Sequence, residues 1–314
     1  MLGLLQLLAL GLVLAIAGAS LATAHRLRHP PRRTYAFAVA RGIPGDPSEL
    51  DAPRDFVATD LPGASIPGRP TPRFGAWLIP GDEPAGPIAI CTPGWGDSRL
   101  GVLPRLDALA PRCSLVVAWD PPGQGESRGP SDLGVASPLH LRAIARSIRE
   151  EHPEPPIVLH GWSLGAGVSI AAAAGVLPRG PDDVPIVGVV AEAPYRLPWV
   201  PAYNVMRQAG LPWRTNGPIA YALLGLRLTG SPTWRGRPPF DRAVHAADLP
   251  CPLLLIHGDA DDITPIADSE SIAAAAPRAT LRPIPGANHN DVWTTPEHAD
   301  AAADALGEFL ASVR

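Results

Sequence analysis

The chain has 314 residues, 46% hydrophobic and 18% charged, with a formal net charge of −4. That is ample for a large core and suits one big α/β domain or two small ones. A charge so near balance offers no basic face for nucleic acid.

All the basic charge apart from histidine is arginine, because lysine is absent, and 40 prolines accompany the many alanines and glycines. This composition reads as genome bias, since the prolines punctuate clear apolar runs. Cys91, Cys113 and Cys251 are widely spaced and odd in number. They form no disulfide framework or zinc pattern and read as small core residues beside strands.

Residues 1–24 carry no charged side chain and are rich in Leu, Ala and Val, long enough to cross a bilayer as a helix. Arg26, Arg28, Arg32 and Arg33 follow directly. Under the positive-inside rule they hold the downstream chain in the cytoplasm. The competing reading is a cleaved signal peptide with Ala22-Thr23-Ala24 as its A-x-A site, which would make the protein secreted or periplasmic. The absence of an arginine before the apolar run, and the length of that run, favour a single-pass anchor. Residues 25–54 form a Pro/Arg-rich linker and entry segment, and 55–314 the main domain.

Strand-like pieces at 35–40, 56–59 and 73–79 read as leading antiparallel strands of a larger sheet. Strand and helix patterns then alternate. Strands are expected at 88–92, 115–119, 157–160, 186–191, 253–256 and 280–284. Helices are expected at 100–110, 139–151, 164–174, 266–276 and 296–313. Such alternation predicts a mostly parallel sheet covered on both faces. Residues 194–250 interrupt it and hold Trp199, Tyr203, Trp213, Tyr221 and Trp234. A structureless loop this long is unusual. The segment reads as a small helical cap over the carboxyl ends of the strands, where ligands bind in such sheets.

One stretch carries the chemistry. Gly161-Trp162-Ser163-Leu164-Gly165 sits between an apolar strand and an Ala-rich helix, and it fits the G-x-S-x-G nucleophile elbow. A strand that turns sharply into a helix strains the apical residue and crowds its neighbours at minus two and plus two, which glycine relieves. The helix N-terminus behind the serine offers free N–H groups to a developing oxyanion. Downstream, His257-Gly258-Asp259-Ala260-Asp261-Asp262 follows a strand and offers an acid from among three aspartates. His289 follows the final strand, completing the order Ser…Asp…His that this architecture uses. His298, inside the last helix, is the weaker base. His140, His152, His160 and His257 read as structural or surface residues.

These features resemble the α/β-hydrolase-fold serine hydrolases from about Phe56 to the end. The resemblance is carried by Trp77-Leu78-Ile79-Pro80, Pro93-Gly94-Trp95-Gly96-Asp97-Ser98, Asp120-Pro121-Pro122-Gly123-Gln124-Gly125-Glu126-Ser127, the elbow, and the Asp and His loops. It implies a catalytic triad of Ser163, Asp261 and His289, the family spacing selecting Asp261 over Asp259 and Asp262. It also implies an oxyanion hole from the N–H groups of Trp95 and Leu164. Pro93 stands where the family usually has histidine, and Gln124 replaces another, non-catalytic one. No metal or organic cofactor is implied.

The expected reaction is hydrolysis of a carboxylic ester or thioester with an apolar acyl group, through an acyl-enzyme. The expected partners are a lipid-like small-molecule substrate and, through the N-terminal helix, a membrane. Acyl transfer or peptide hydrolysis by the same triad is the first alternative, and a non-catalytic binding module on this fold is the second.

Overall fold

The computed structural model describes residues 2–65, 68, 70–175, 183–224 and 240–313. Eight strands form a single sheet: β1 (Val57–Pro62), β2 (Arg73–Pro80), β3 (Ile88–Thr92), β4 (Leu115–Trp119), β5 (Ile157–Trp162), β6 (Ile186–Glu192), β7 (Leu253–Gly258) and β8 (Ala279–Ile284). Their spatial order is β1-β2-β4-β3-β5-β6-β7-β8. β1 pairs antiparallel with β2, and β2 antiparallel with β4. From β4 to β8 every pairing is parallel.

Ten α-helices are described: α1 (Leu2–Arg28), α2 (Tyr35–Val39), α3 (Leu106–Leu109), α4 (Ser137–Glu151), α5 (Leu164–Ala173), α6 (Trp199–Gln208), α7 (Trp213–Leu223), α8 (Arg242–Ala247), α9 (Ile266–Ala275) and α10 (Pro296–Ser312). The central strands are apolar on both faces because both are covered. Ile88 and Ile90 of β3 point into one core with Ile144 of α4 and Ile170 of α5. Ala89 and Cys91 point the other way, into a second core with Leu106 of α3 and Leu306 and Leu310 of α10. Two-residue alternation along one strand thus builds two layers of packing. Cys91, Cys113 and Cys251 are all buried thiols.

Two sequence expectations change. Residues 35–40 were expected to be a strand, but Tyr35–Val39 is a short helix. Its Tyr35 hydroxyl donates to Glu49 (2.5 Å), a tertiary contact that local propensity does not encode. The helix expected over 100–110 is instead a 3₁₀ helix (Arg99–Arg105) followed by one α-turn, α3. Pro104 lies inside that first segment and removes a backbone donor. Arginines within residues 25–54 bond to residues further along the chain. Arg32 donates to the carbonyls of Gly125 (2.7 Å) and Ser127 (3.1 Å), and Arg54 pairs with Asp82 (3.0 Å).

The sheet reverses its winding between β3 and β5, since β4 lies on one side of β3 and β5 on the other. The crevice at such a switch point, at the carboxyl ends of the strands, is where ligands bind in open α/β sheets. The loop after β3 carries Trp95, and the turn after β5 carries Ser163.

Candidate active site

Ser163 joins β5 to α5 with φ 53° and ψ −115°. A non-glycine residue at positive φ costs on the order of 1–3 kcal/mol and persists only where its surroundings fix it. Those surroundings are specific. A Cβ at Gly161 would lie 2.2 Å from the Gly165 carbonyl oxygen, and one at Gly165 would lie 1.9 Å from that of Thr92. Both positions therefore require glycine. The Ser163 N–H donates to the Glu192 carbonyl (2.8 Å), tying the elbow to β6.

The loops after β7 and β8 bring two more groups to this turn. His289 Nε2 lies 3.1 Å from Ser163 Oγ, and His289 Nδ1 lies 2.7 Å from Asp261 Oδ2. Asp261 is fixed at both oxygens. Its Oδ1 accepts from the N–H groups of Ile263 (2.9 Å) and Thr264 (2.8 Å), and its Oδ2 accepts from the Thr264 hydroxyl (2.7 Å). Burial opposes ionisation of Asp261, but hydrogen bonds with His257, His289 and Thr264 outweigh it and hold its pKa well below the usual carboxylate range. Asp261 is thus a fixed anion against one imidazole nitrogen, which leaves the other nitrogen facing the serine hydroxyl.

The other aspartates of the loop are elsewhere. Asp259 accepts from the Gly286 N–H (2.7 Å), bridging the two loops. His298 lies 3.6 Å from Asp291, away from the serine. His257 is fully buried, between Ser269 (2.6 Å) and the Thr264 carbonyl (2.7 Å). Trp95 and Leu164 line the same cavity as Ser163 and His289. Leu164 opens α5, where N–H groups have no partner within their own helix.

Sequence reading missed three features. Thr264 touches both Asp261 and His289 (3.0 Å to Nδ1). Its signal is its place three residues after the acid, where a side chain in a tight turn reaches back. The second is a buried charge cluster beneath the elbow. Arg105 pairs with Glu192 (2.5 Å), and His160 meets the same carboxylate (2.5 Å). Burial opposes the Glu192 charge, yet Arg105 and His160 bring its pKa down to about 2. The Arg105 guanidinium also lies 4.0 Å over the ring of Trp162, next to the serine.

The third is the part of the cavity wall that α1 supplies. The site opens into a space of about 610 Å³ whose lining is mostly apolar. Tyr221 of α7 and Met206 and Pro201 of α6 line it, and so do Ala19, Ala22 and Thr23 of α1. Tyr221 is buried and donates its hydroxyl to the Pro198 carbonyl (2.7 Å). Trp199, Tyr203 and Trp213 pack on one another. Trp234 lies outside the described residues.

A profile of the alpha/beta hydrolase family matches residues 89–305, from β3 into α10. The chain belongs to the α/β hydrolase family. An uncharacterized protein of Mycobacterium tuberculosis is 29% identical over 291 residues, covering 89% of this chain and 86% of the relative. A pimeloyl-acyl-carrier-protein methyl ester esterase of Xanthomonas axonopodis pv. citri is 28% identical over 256 residues, covering 73% of this chain and 96% of the relative. An esterase of Pyrococcus furiosus matches in structure with a TM-score of 0.68 at 19% identity, over 92% of this chain and 99% of that one. This α/β hydrolase therefore has esterase-like relatives at low identity. The mycobacterial relative aligns with most of the chain, whereas the methyl ester esterase spans a smaller part of it.

Proposed function

We propose that this α/β hydrolase is a serine esterase acting on a carboxylic ester or thioester with an apolar acyl group. The observation that carries the reading is the unbroken contact path Asp261–His289–Ser163, ending on a mostly apolar cavity. In this reading His289 takes the Ser163 proton as the oxygen attacks the acyl carbonyl. Asp261 keeps the imidazole in the correct tautomer and stabilises the imidazolium. The backbone N–H groups of Trp95 and Leu164 receive the oxyanion, where a single donor contributes about 2.7–4 kcal/mol. The alcohol or thiol leaves with the proton from His289, and water, activated by the same histidine, releases the acid. The esterase activity named for the Xanthomonas and Pyrococcus relatives agrees in reaction type.

The same reading makes α1 a retained single-pass anchor, with residues 25–54 packed on a hydrolase domain over 55–314 and a cap insertion over 194–250. Arg26 and Arg28 in the last turn of α1, and Arg32 and Arg33 after it, favour a cytoplasmic domain. Retention is supported by Ala24, which is buried, and by Thr23, which accepts from Asn216 Nδ2 (2.5 Å). Cleavage after Ala24 would strip both from the domain.

The test is steady-state and burst kinetics of the full chain in detergent with p-nitrophenyl esters of two to sixteen acyl carbons. A burst of about one p-nitrophenol per chain, with kcat/KM rising to a maximum beyond four carbons, is expected. A folded protein that turns over no ester of the series would refute the reading.

A further inference from the structure

Helix α1 has two parts. Residues 3–15 are exposed on every side. From residue 16 the sheltered positions are Ile16, Ala19, Ser20, Thr23, Ala24 and Leu27, the three- and four-residue spacing of one helix face. That face packs on α7 of the cap. Two backbone carbonyls at its end are also held: Leu27 accepts from the Trp95 indole (2.8 Å) and Arg28 from the Ser131 N–H (2.7 Å). The opposite face of the same turns remains exposed and apolar through Ala17, Gly18, Leu21 and Ala22. The first charged side chain along the helix is Arg26.

Length decides where the bilayer must lie. At 1.5 Å per residue, the free part alone spans about 20 Å, well short of the roughly 30 Å hydrocarbon core. The whole uncharged run to Ala24 spans about 35 Å, which matches it. With α1 retained as the anchor, the hydrocarbon reaches into the docked turns and brings the cap to the depth of one leaflet.

The cap is built for that depth. On α7, Ile219 and Leu223 are 40% and 55% exposed, with Pro218 and Ala222 exposed beside them. Val205 on α6 and Leu211 after it are also exposed. The only charged side chains on α6 and α7 are Arg207 and Arg214, both exposed, and both suit lipid phosphate. The cavity above Ser163 runs between these elements. Ala22 and Val205, both exposed, mark its rim, and Arg26 is the single charged group among its described lining residues.

We propose that the cavity opens into the leaflet where α1 ends, and that the substrate is a bilayer-resident lipid ester. Its acyl chain passes laterally between Ala22 and Val205 toward Ser163, while its polar head stays with Arg26 at the membrane surface. Helix α1 is thus both the anchor and one wall of the acyl site. The proposal rests on the serine esterase reading above.

The experiment uses the full chain in phosphatidylcholine vesicles and has two arms. In the first, bimane is attached to Ile219→Cys or Leu223→Cys, the three native cysteines being buried. Doxyl groups on the lipid acyl chains should quench it at least threefold more than aqueous iodide. Quenching by iodide alone would overturn the placement.

In the second arm, 4-methylumbelliferyl palmitate held in the vesicles is compared with soluble p-nitrophenyl acetate. The parent should hydrolyse both. The palmitate-to-acetate ratio should fall at least tenfold in Ala22→Trp and about threefold in Ala22→Leu, which adds far less bulk and guards against misfolding. Acetate turnover with the vesicle-held ester untouched, or ratios equal to the parent's in both variants, would overturn the lipid proposal alone. Turnover of neither ester would overturn the esterase reading and this proposal with it.

Discussion

The floor and the rim of the cavity are built in opposite ways. The floor is made by residues at the ends of strands β5, β7 and β8, each held by several short contacts. Ser163 is locked between two glycines, and Asp261 is bonded at both oxygens. The rim is made by α1, α6 and α7, with exposed apolar side chains and few polar contacts. Preorganised dipoles accelerate a reaction only if they do not have to move, which suits the floor. Apolar contact is non-directional, which suits the proposed role of the rim, to accept a chain and let it slide. On the proposed reading, the difference teaches that reaction type and substrate choice sit on separate elements of this molecule, so they should be separable by mutation.

The largest test of that separation is Ser163→Ala, expected to lower kcat by about 10⁶-fold for every ester, whatever its chain length. A loss confined to long esters would place Ser163 at the rim instead. Asp261→Asn should cost about 10⁴-fold in kcat by leaving the imidazole in the wrong tautomer. Single-turnover acylation rates, compared across acyl lengths, would show whether the cost is uniform, as a floor residue requires.

Glu192→Gln tests the support beneath the floor. It leaves Arg105 buried without its anion and should destabilise the fold by about 3–5 kcal/mol, read by chemical denaturation. The sign of the pH dependence follows from the depressed Glu192 pKa. The stabilisation is complete above the ordinary carboxylate range and is lost as pH falls toward about 2. The parent should therefore lose stability through that window, and the variant should lose less. Parallel curves for the two proteins would contradict the assignment.

Thr264→Val should lower kcat about tenfold with little change in KM, through loss of a hydrogen bond to a charged group worth roughly 1.5 kcal/mol. The smallest effect is expected at the rim, where Val205→Trp should raise KM for a dodecanoyl ester about threefold more than for an acetyl ester. Equal effects on the two esters would break the division between floor and rim.

The floor was legible in the sequence because strand-end loops leave local signals. A serine between glycines after an apolar run, an Asp-rich turn after a strand and a histidine after the last strand all mark positions that the fold brings together. Thr264 left a weaker trace, since a threonine in a turn has many uses. The α1 part of the rim was not legible, whereas α6 and α7 fall within residues 194–250, the segment that reads as a helical cap. Helix α1 is apolar all round, so periodicity does not separate its docked face from its exposed one, and small residues such as Ala19 and Ser20 serve either purpose. Tyr35–Val39 reads as a strand because aromatic and β-branched residues favour one, whereas its backbone closes helical bonds from Ala38 N–H to Thr34 and from Ala40 N–H to Ala36. Contacts between distant parts of the chain, such as Trp95 with Leu27, leave no pattern in either segment.

The central claim, that Ser163 is the nucleophile of this site, is tested most directly by treating the full chain in detergent with a fluorophosphonate and mapping the adduct by mass spectrometry. The account predicts one adduct per chain, on the peptide containing Ser163, absent from Ser163→Ala and strongly slowed in His289→Ala. A folded parent that takes no label, or an adduct at another residue that persists in Ser163→Ala, would contradict it.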